Sequence, residues 1–172
     1  MPAEIASDLV ALLPRLLRYA KCVARDPDIA QDLVQSGCER ALATAEGPGE
    51  GVAFEAWMFR ILRNLWIDRL RKQQTEGLQV DVEEQDDLAV ESGDGAVEAK
   101  LTLERVRTAI DVLPVEQREV MLLVCVEELS YKEAAQVLGI PVGTVMSRLA
   151  RARTKVIEMT QGKTDPAGEM SK

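Results

Sequence analysis

Ser130 and Glu133 stand three residues apart at the head of SYKEAAQVLGIPVGTVMSRLARARTK, residues 130 to 155. That spacing is a capping box, in which each side chain satisfies an orphan amide of the first helical turn, so a helix begins at Tyr131. Tyr131, Ala135 and Leu138 then fall on one inward stripe. Gly139 can take the left-handed conformation that ends a helix, and Ile140 can fill the corner. Pro141 suits the opening of a second helix, where its missing N–H leaves nothing unpaired. The segment is thereby confined to two short helices meeting at a sharp turn. On the second, Val145, Leu149, Ala152 and Val156 share one side at about 100° per residue. Thr144, Ser147, Arg148, Arg151 and Lys155 share nearly the opposite side, which is cationic and hydroxylic and holds no carboxylate.

Two helices joined in this way, the second presenting Arg, Ser and Thr outward, form the helix-turn-helix arrangement that places its second helix in a DNA major groove. Arginine matches guanine edges and phosphates, and small hydroxyl residues allow close approach. An ordinary helical hairpin with a solvated basic face shows the same pattern, so the residues of this segment leave both readings open.

The formal net charge of −8 argues against a nucleic-acid binder until it is located. Nine acidic residues and no Lys or Arg lie between Thr75 and Ala99, and the rest of the chain has a net charge of about +1, from 21 basic and 20 remaining acidic residues. The acidity belongs to one stretch. A hydrophobic content of 47% with 3% aromatics indicates a soluble chain with an aliphatic core. No apolar run approaches the ~20 residues that cross a bilayer. The N-terminus lacks a basic region and a cleavage site, so a cytoplasmic protein without membrane insertion is expected. Cys22, Cys38 and Cys125, with no histidine in the chain, support neither a metal site nor a disulfide framework and are expected to be buried small hydrophobes.

In chain order, Ser7 is positioned to cap a short first helix, which Pro14 interrupts before a second piece runs to Arg25. Asp26 and Pro27 restart a helix as N-cap and first-turn residue. That helix, from Asp28 to about Thr44, buries Ile29, Leu33 and Ala41 and leaves Asp28, Asp32, Gln35 and Glu39 on the other side. A glycine-rich loop over residues 45 to 53 leads to a long helix from Phe54 to about Gln74. Phe54, Met58, Ile61 and Leu65 form its main stripe, and Arg60, Arg63, Asn64 and Arg71 its other side. Residues 77 to 96 have the composition of a flexible linker. Val97 to Leu113 follows as a helix with Leu103, Val106, Ile110 and Leu113 on one side, and PVEQREVMLLVCVEEL as a central core helix. The expected fold class is all-α: two small helical domains, 1–75 and 97–160, joined by an acidic linker at 76–96 and followed by a disordered tail at 161–172.

With these residues in view, the chain resembles the bacterial extracytoplasmic-function sigma factors, small two-domain specificity subunits of RNA polymerase. The likeness is carried by DPDIAQDLVQSGCERAL at 26 to 42, FEAWMFRILRNLWIDRLRK at 54 to 72, and LPVEQREVMLLVCVEELSYKEAAQVLGIPVGTVMSRLARAR at 113 to 153, in the family's order and with an acidic linker between. The resemblance implies that Asp32, Gln35 and Glu39 dock on core RNA polymerase. It implies that Arg60, Arg63, Asn64 and Arg71 hold the opened −10 element, with the loop from Glu46 to Val52 capturing a flipped base at a cost of a few kcal/mol. It assigns reading of the −35 element in promoter DNA to Thr144, Ser147, Arg148, Arg151 and Lys155. Met146 departs from the family, in which many members carry lysine there, and weakens phosphate contact. The segments EELSY and PVGTVMSRL resemble the subgroup serving the alphaproteobacterial general stress response, in which an anti-sigma factor keeps the two domains from DNA. The resemblance implies no cofactor, no metal, no small-molecule substrate and no catalysis.

Two other classes compete. A self-sufficient helix-turn-helix regulator needs a sensor or dimerisation domain, and the N-terminal half shows neither an aromatic pocket nor a phosphoacceptor pattern. An enzyme is poorly served by a chain without histidine, phosphate-cradling loop or paired carboxylates outside the linker.

Overall fold

The computed structural model describes residues 2–44, 46–77 and 97–161. The flexible linker and the tail expected from composition lie almost wholly outside these residues, at 78–96 and 162–172. Among the described residues all regular structure is helical: α1 (Pro2–Ala24), α2 (Pro27–Ala43), α3 (Phe54–Thr75), α4 (Val97–Asp111), α5 (Val115–Met121), α6 (Tyr131–Leu138) and α7 (Val142–Thr160). A wide π-helical turn, Leu122–Val126, continues α5.

The first unit is α1 to α3. Contrary to the expectation of an interruption, α1 runs unbroken through Pro14, and Ser7 lies inside it rather than at its cap. Proline removes one backbone hydrogen bond and crowds the preceding turn. Here Pro14 and Val10 face solvent, so water can serve the freed carbonyl, while Leu9, Leu12, Leu16, Tyr19, Ala20 and Val23 are buried on both sides of the proline. Burial along the whole inward face outweighs the local penalty. Asp26 caps α2 as expected, accepting hydrogen bonds from the amides of Asp28 and Ile29. Ala30, Leu33, Val34, Gly37 and Ala41 are its buried positions, with Ile29 only half-buried. A Cβ on Gly37 would stand 2.5 Å from Leu62 Cδ2, so glycine is what lets α2 and α3 approach this closely.

The inward face of α3 is rotated from the expected stripe. Ala56, Met58, Phe59 and Leu62 are buried, whereas Phe54, Ile61 and Leu65 are half-buried. Phe59 moves inward because Tyr19 receives it edge-on, with ring centroids 5.5 Å apart.

The second unit is α4 to α7. Leu103, expected inside, is 58% exposed; Leu113 is buried as expected, and Ala109 is buried as well. Arg118, itself buried, closes the C-terminal end of α4 by donating to the carbonyl of Asp111 at 3.1 Å. The capping box forms in full, with Ser130 N donating to Glu133 Oε2 at 2.8 Å and Glu133 N to Ser130 Oγ at 3.1 Å. Gly139 adopts φ +63°, the left-handed conformation required at the corner. Ala134, Ala135, Val137 and Leu138 are buried, but Tyr131 is exposed, because it lies at the first turn beyond the core. Val145, Leu149 and Ala152 of α7 are buried as expected.

The two units lie directly against each other, α1 on α5 and α3 on α6. Linker composition indicated separable pieces; side-chain chemistry on the facing helices brings them together.

Candidate nucleic-acid and polymerase interfaces

Three sets of residues marked in the sequence fare differently. On α2, Asp32, Gln35 and Glu39 are all exposed along one face, opposite the buried positions. Gln35 Nε2 donates to Glu39 Oε1 at 3.0 Å, so the amide aligns the carboxylate one helical turn away. Neither Asp32 nor Glu39 is in an ion pair among the described residues, and the face is free to receive a cationic surface.

On α3 the four residues separate. Arg60, Asn64 and Arg71 are exposed. Arg71 Nη1 lies 4.0 Å from Asp68 Oδ1, an exposed pair worth little in water. Arg63 is different: it is half-buried, with its Nε 3.6 Å from Glu119 Oε1 of the second unit and without a hydrogen-bond partner. In this arrangement Arg63 belongs to the seam between units rather than to an open cationic face. Arg60 lines a cleft of about 350 Å³ with Trp57, Ala56, Gly49 and Val52, and Gln136 of α6 also contributes to its lining.

On α7, Ser147, Arg151 and Lys155 are exposed, while Thr144 and Arg148 are half-buried. Arg148 stands about 60° round from Val145, given 100° per residue, and so lies on the flank rather than opposite the core. It is near enough to Glu119 for its charge to act on that carboxyl. The Ser147 hydroxyl donates to the carbonyl of Thr144 at 3.1 Å, leaving its lone pairs facing outward. The outward face thus centres on Ser147 and Arg151. Arg153, absent from the sequence-based set, also lies on the exposed side, 3.7 Å from the Cys125 sulfur. Cys125 is exposed, against the expectation of a buried cysteine, and Cys22 and Cys38 are partly buried.

Sequence reasoning missed the seam itself. Arg15, Arg18, Tyr19 and Cys22 lie on one stripe of α1, and Arg25 follows just after its C-terminal end. Arg15 Nε donates to Glu127 Oε2 and Arg18 Nε to Glu127 Oε1, each at 2.7 Å. Tyr19 Oη donates to Glu119 Oε1 at 2.8 Å. Arg25 donates to the carbonyl of Asp111. Glu119 and Glu127 are only 6% and 3% exposed. The available signal was two carboxylates flanking an apolar run, opposite arginines recurring at helical spacing in α1. The π-helical turn completes it. A regular helix would set Glu127 about 80° round from Glu119, and the extra residue of a wider turn takes up about 100°, aligning the two.

Burial raises the Glu119 pKa above the ordinary 4.5, against the hydrogen bond from Tyr19 and the charge of Arg63, which lower it. Burial also raises Tyr19 well above its usual value and pushes the Cys22 thiol up to about 12, with the Glu119 charge adding to both. A carboxyl with a raised folded pKa binds its proton more tightly when folded. Its contribution to stability is therefore fully present below the unfolded value and declines as pH rises from there toward the folded one. Urea unfolding should show the stability of the wild type relative to Glu119→Gln falling as pH rises above the ordinary carboxyl value of 4.5. A difference that is flat or rising with pH would contradict the direction assigned to Glu119.

Among the described residues no helix is long and apolar enough to cross a membrane. The family model for Sigma-70 region 2 matches residues 9–76, and that for Sigma-70 region 4 matches residues 103–156. The chain is 38% identical over 153 residues to the ECF RNA polymerase sigma factor EcfG of Rhodopseudomonas palustris, covering 89% of this chain and 83% of that protein. It is 34% identical over 133 residues to the ECF RNA polymerase sigma factor SigW of Bacillus subtilis, covering 72% and 71%. Among solved structures, the sigma factor RpoE in complex with the anti-sigma factor NepR from Bartonella quintana is similar with a TM-score of 0.74 at 29% identity, over 93% of this chain and 98% of that one. Exposed acidic, cationic and helix-turn-helix faces thus fall within two matched sigma regions, and the chain belongs to the extracytoplasmic-function sigma factors of the sigma-70 family.

Proposed function

We propose that this sigma factor distributes its work over three faces. Asp32, Gln35 and Glu39 of α2 dock on core RNA polymerase. Arg60, Arg63, Asn64 and Arg71 of α3, with the loop at 46–52, hold the opened −10 element. Thr144, Ser147, Arg148, Arg151 and Lys155 of α7 read the −35 element. The working units on this reading are residues 1–75 and 97–160, joined by the acidic linker at 76–96. A small helical anti-sigma factor of the kind bound by the Bartonella relative holds the protein inactive in the cytoplasm until stress releases it. No catalytic step is assigned to the chain.

The observation that carries the reading is the segregation on α7. Val145, Leu149 and Ala152 are buried while Ser147, Arg151 and Lys155 are exposed, on the second helix of a helix-turn-helix whose first helix is capped at both ends. The test is a −35 substitution matrix transcribed by holoenzyme carrying single variants. Arg151→Ala should cost ~1–3 kcal/mol and relax preference at one −35 position if the guanidinium grips a guanine. Phosphate contact alone would give a uniform loss and a salt slope smaller by about one. Arg148→Ala should have the smaller effect, since Arg148 starts on the flank beside Glu119. Full activity and unaltered preference in both variants would remove the −35 role from α7.

A further inference from the structure

We propose that Glu119 and Glu127 form a latch by which the second unit closes over α3, so that the free chain keeps its −10 face covered until the seam opens. The proposal rests on the reading of α3 as the −10 helix.

Both carboxylates are buried, and the partners that satisfy them come from the other unit: Arg15 and Arg18 on Glu127, Tyr19 and Arg63 on Glu119. A carboxylate removed from water needs such partners, and removing one leaves an uncompensated charge. In the separated state the same groups are solvated without loss. A seam built from them is therefore reversible in a way that a wholly apolar one is not. The arginine side chains of the Glu127 pair remain 32% and 49% exposed, giving water a route into the seam. The π-helical turn lies between the two carboxylates, and both meet side chains of α1.

Closure has a direct consequence for α3. Helix α6 packs on it, Gln136 lines the same cleft as Trp57, Arg60, Gly49 and Val52, and Arg63 is engaged by Glu119. A strand of DNA cannot occupy the same ground. The closed chain is also too small to serve both promoter elements. Their names place them about 25 base pairs apart, roughly 85 Å of B-form DNA, whereas a compact chain of this length has a radius of gyration of ~16 Å. Reading both elements requires the units to part. A closed form in 100-fold excess weakens every ligand of the open form by about 100-fold.

The test uses the full chain. In Arg15→Ala/Arg18→Ala/Tyr19→Phe the latch loses every hydrogen-bond partner from α1 and keeps only the Arg63 charge beside Glu119; in Glu119→Ala/Glu127→Ala it loses the carboxylates. Small-angle scattering should show a larger radius of gyration in both, with helical circular dichroism retained. Fluorescence anisotropy with a labelled 20-nucleotide single strand of mixed sequence should show ~10-fold tighter binding by the first variant, although it has lost two positive charges. Simple charge removal predicts weaker binding, so the sign is diagnostic. Unchanged dimensions in both variants would overturn the latch. Expansion without a gain in affinity would overturn the covering of α3, and transcription by holoenzyme carrying Arg60→Ala then separates the causes. Impaired −10 use there leaves the reading of α3 standing while the latch falls; normal −10 use removes that reading as well.

Discussion

Asp32→Arg combined with Glu39→Arg should abolish stable binding to core RNA polymerase while leaving the helical circular dichroism spectrum unchanged. Both side chains are exposed, and α2 packs through Ala30, Leu33, Val34, Gly37 and Ala41 on the other side, so reversal removes no buried contact. It does place like charges against any basic docking surface, which costs several kcal/mol in a close interface. At 1.4 kcal/mol per tenfold, a loss of ~10²-fold or more in affinity follows. Retained core affinity with intact helicity would remove the docking role from this face.

Phe59→Ala is the substitution expected to cost most in stability. Phe59 is fully buried, meets Tyr19 edge-on and lies under the Arg15 guanidinium, whose carbon stands 5.8 Å from the ring centroid. Truncating a buried phenylalanine costs ~3–5 kcal/mol, the lost transfer free energy plus the cavity left behind. The loss should also reach the seam, because Tyr19 and Arg15 both hold carboxylates of the second unit. Urea unfolding should therefore show a lower midpoint, and thermal melting a drop of several degrees. A change below about 1 kcal/mol would mean that neighbouring side chains collapse into the space.

Local signals were legible wherever a residue acts on its own backbone. The Ser130–Glu133 capping box, the Asp26 cap, the left-handed Gly139 and the acidic face of α2 are all where the sequence put them. Each depends on interactions within four residues along the chain, and periodicity reports those. Pro14 shows the opposite case: its local rule demands a break, and the buried positions on either side of it override the rule. The stripe on α3 was misplaced for the same reason, since Phe54 and Phe59 are equally apolar in sequence and only the position of Tyr19 decides which goes inside.

The sequence by itself determined that this chain is helical, that it holds a helix-turn-helix at α6 and α7, and which helix faces are polar, because capping and amphipathic spacing are short-range. Only the tertiary structure decided that Glu119 and Glu127 meet Arg15, Arg18, Tyr19 and Arg63 across a seam, and that Arg63 and Arg148 sit beside it rather than in the open. Those partners lie up to 112 residues apart. A carboxylate or arginine on a helix looks the same in sequence whether water or a distant helix satisfies it, and the choice is made by which faces pack.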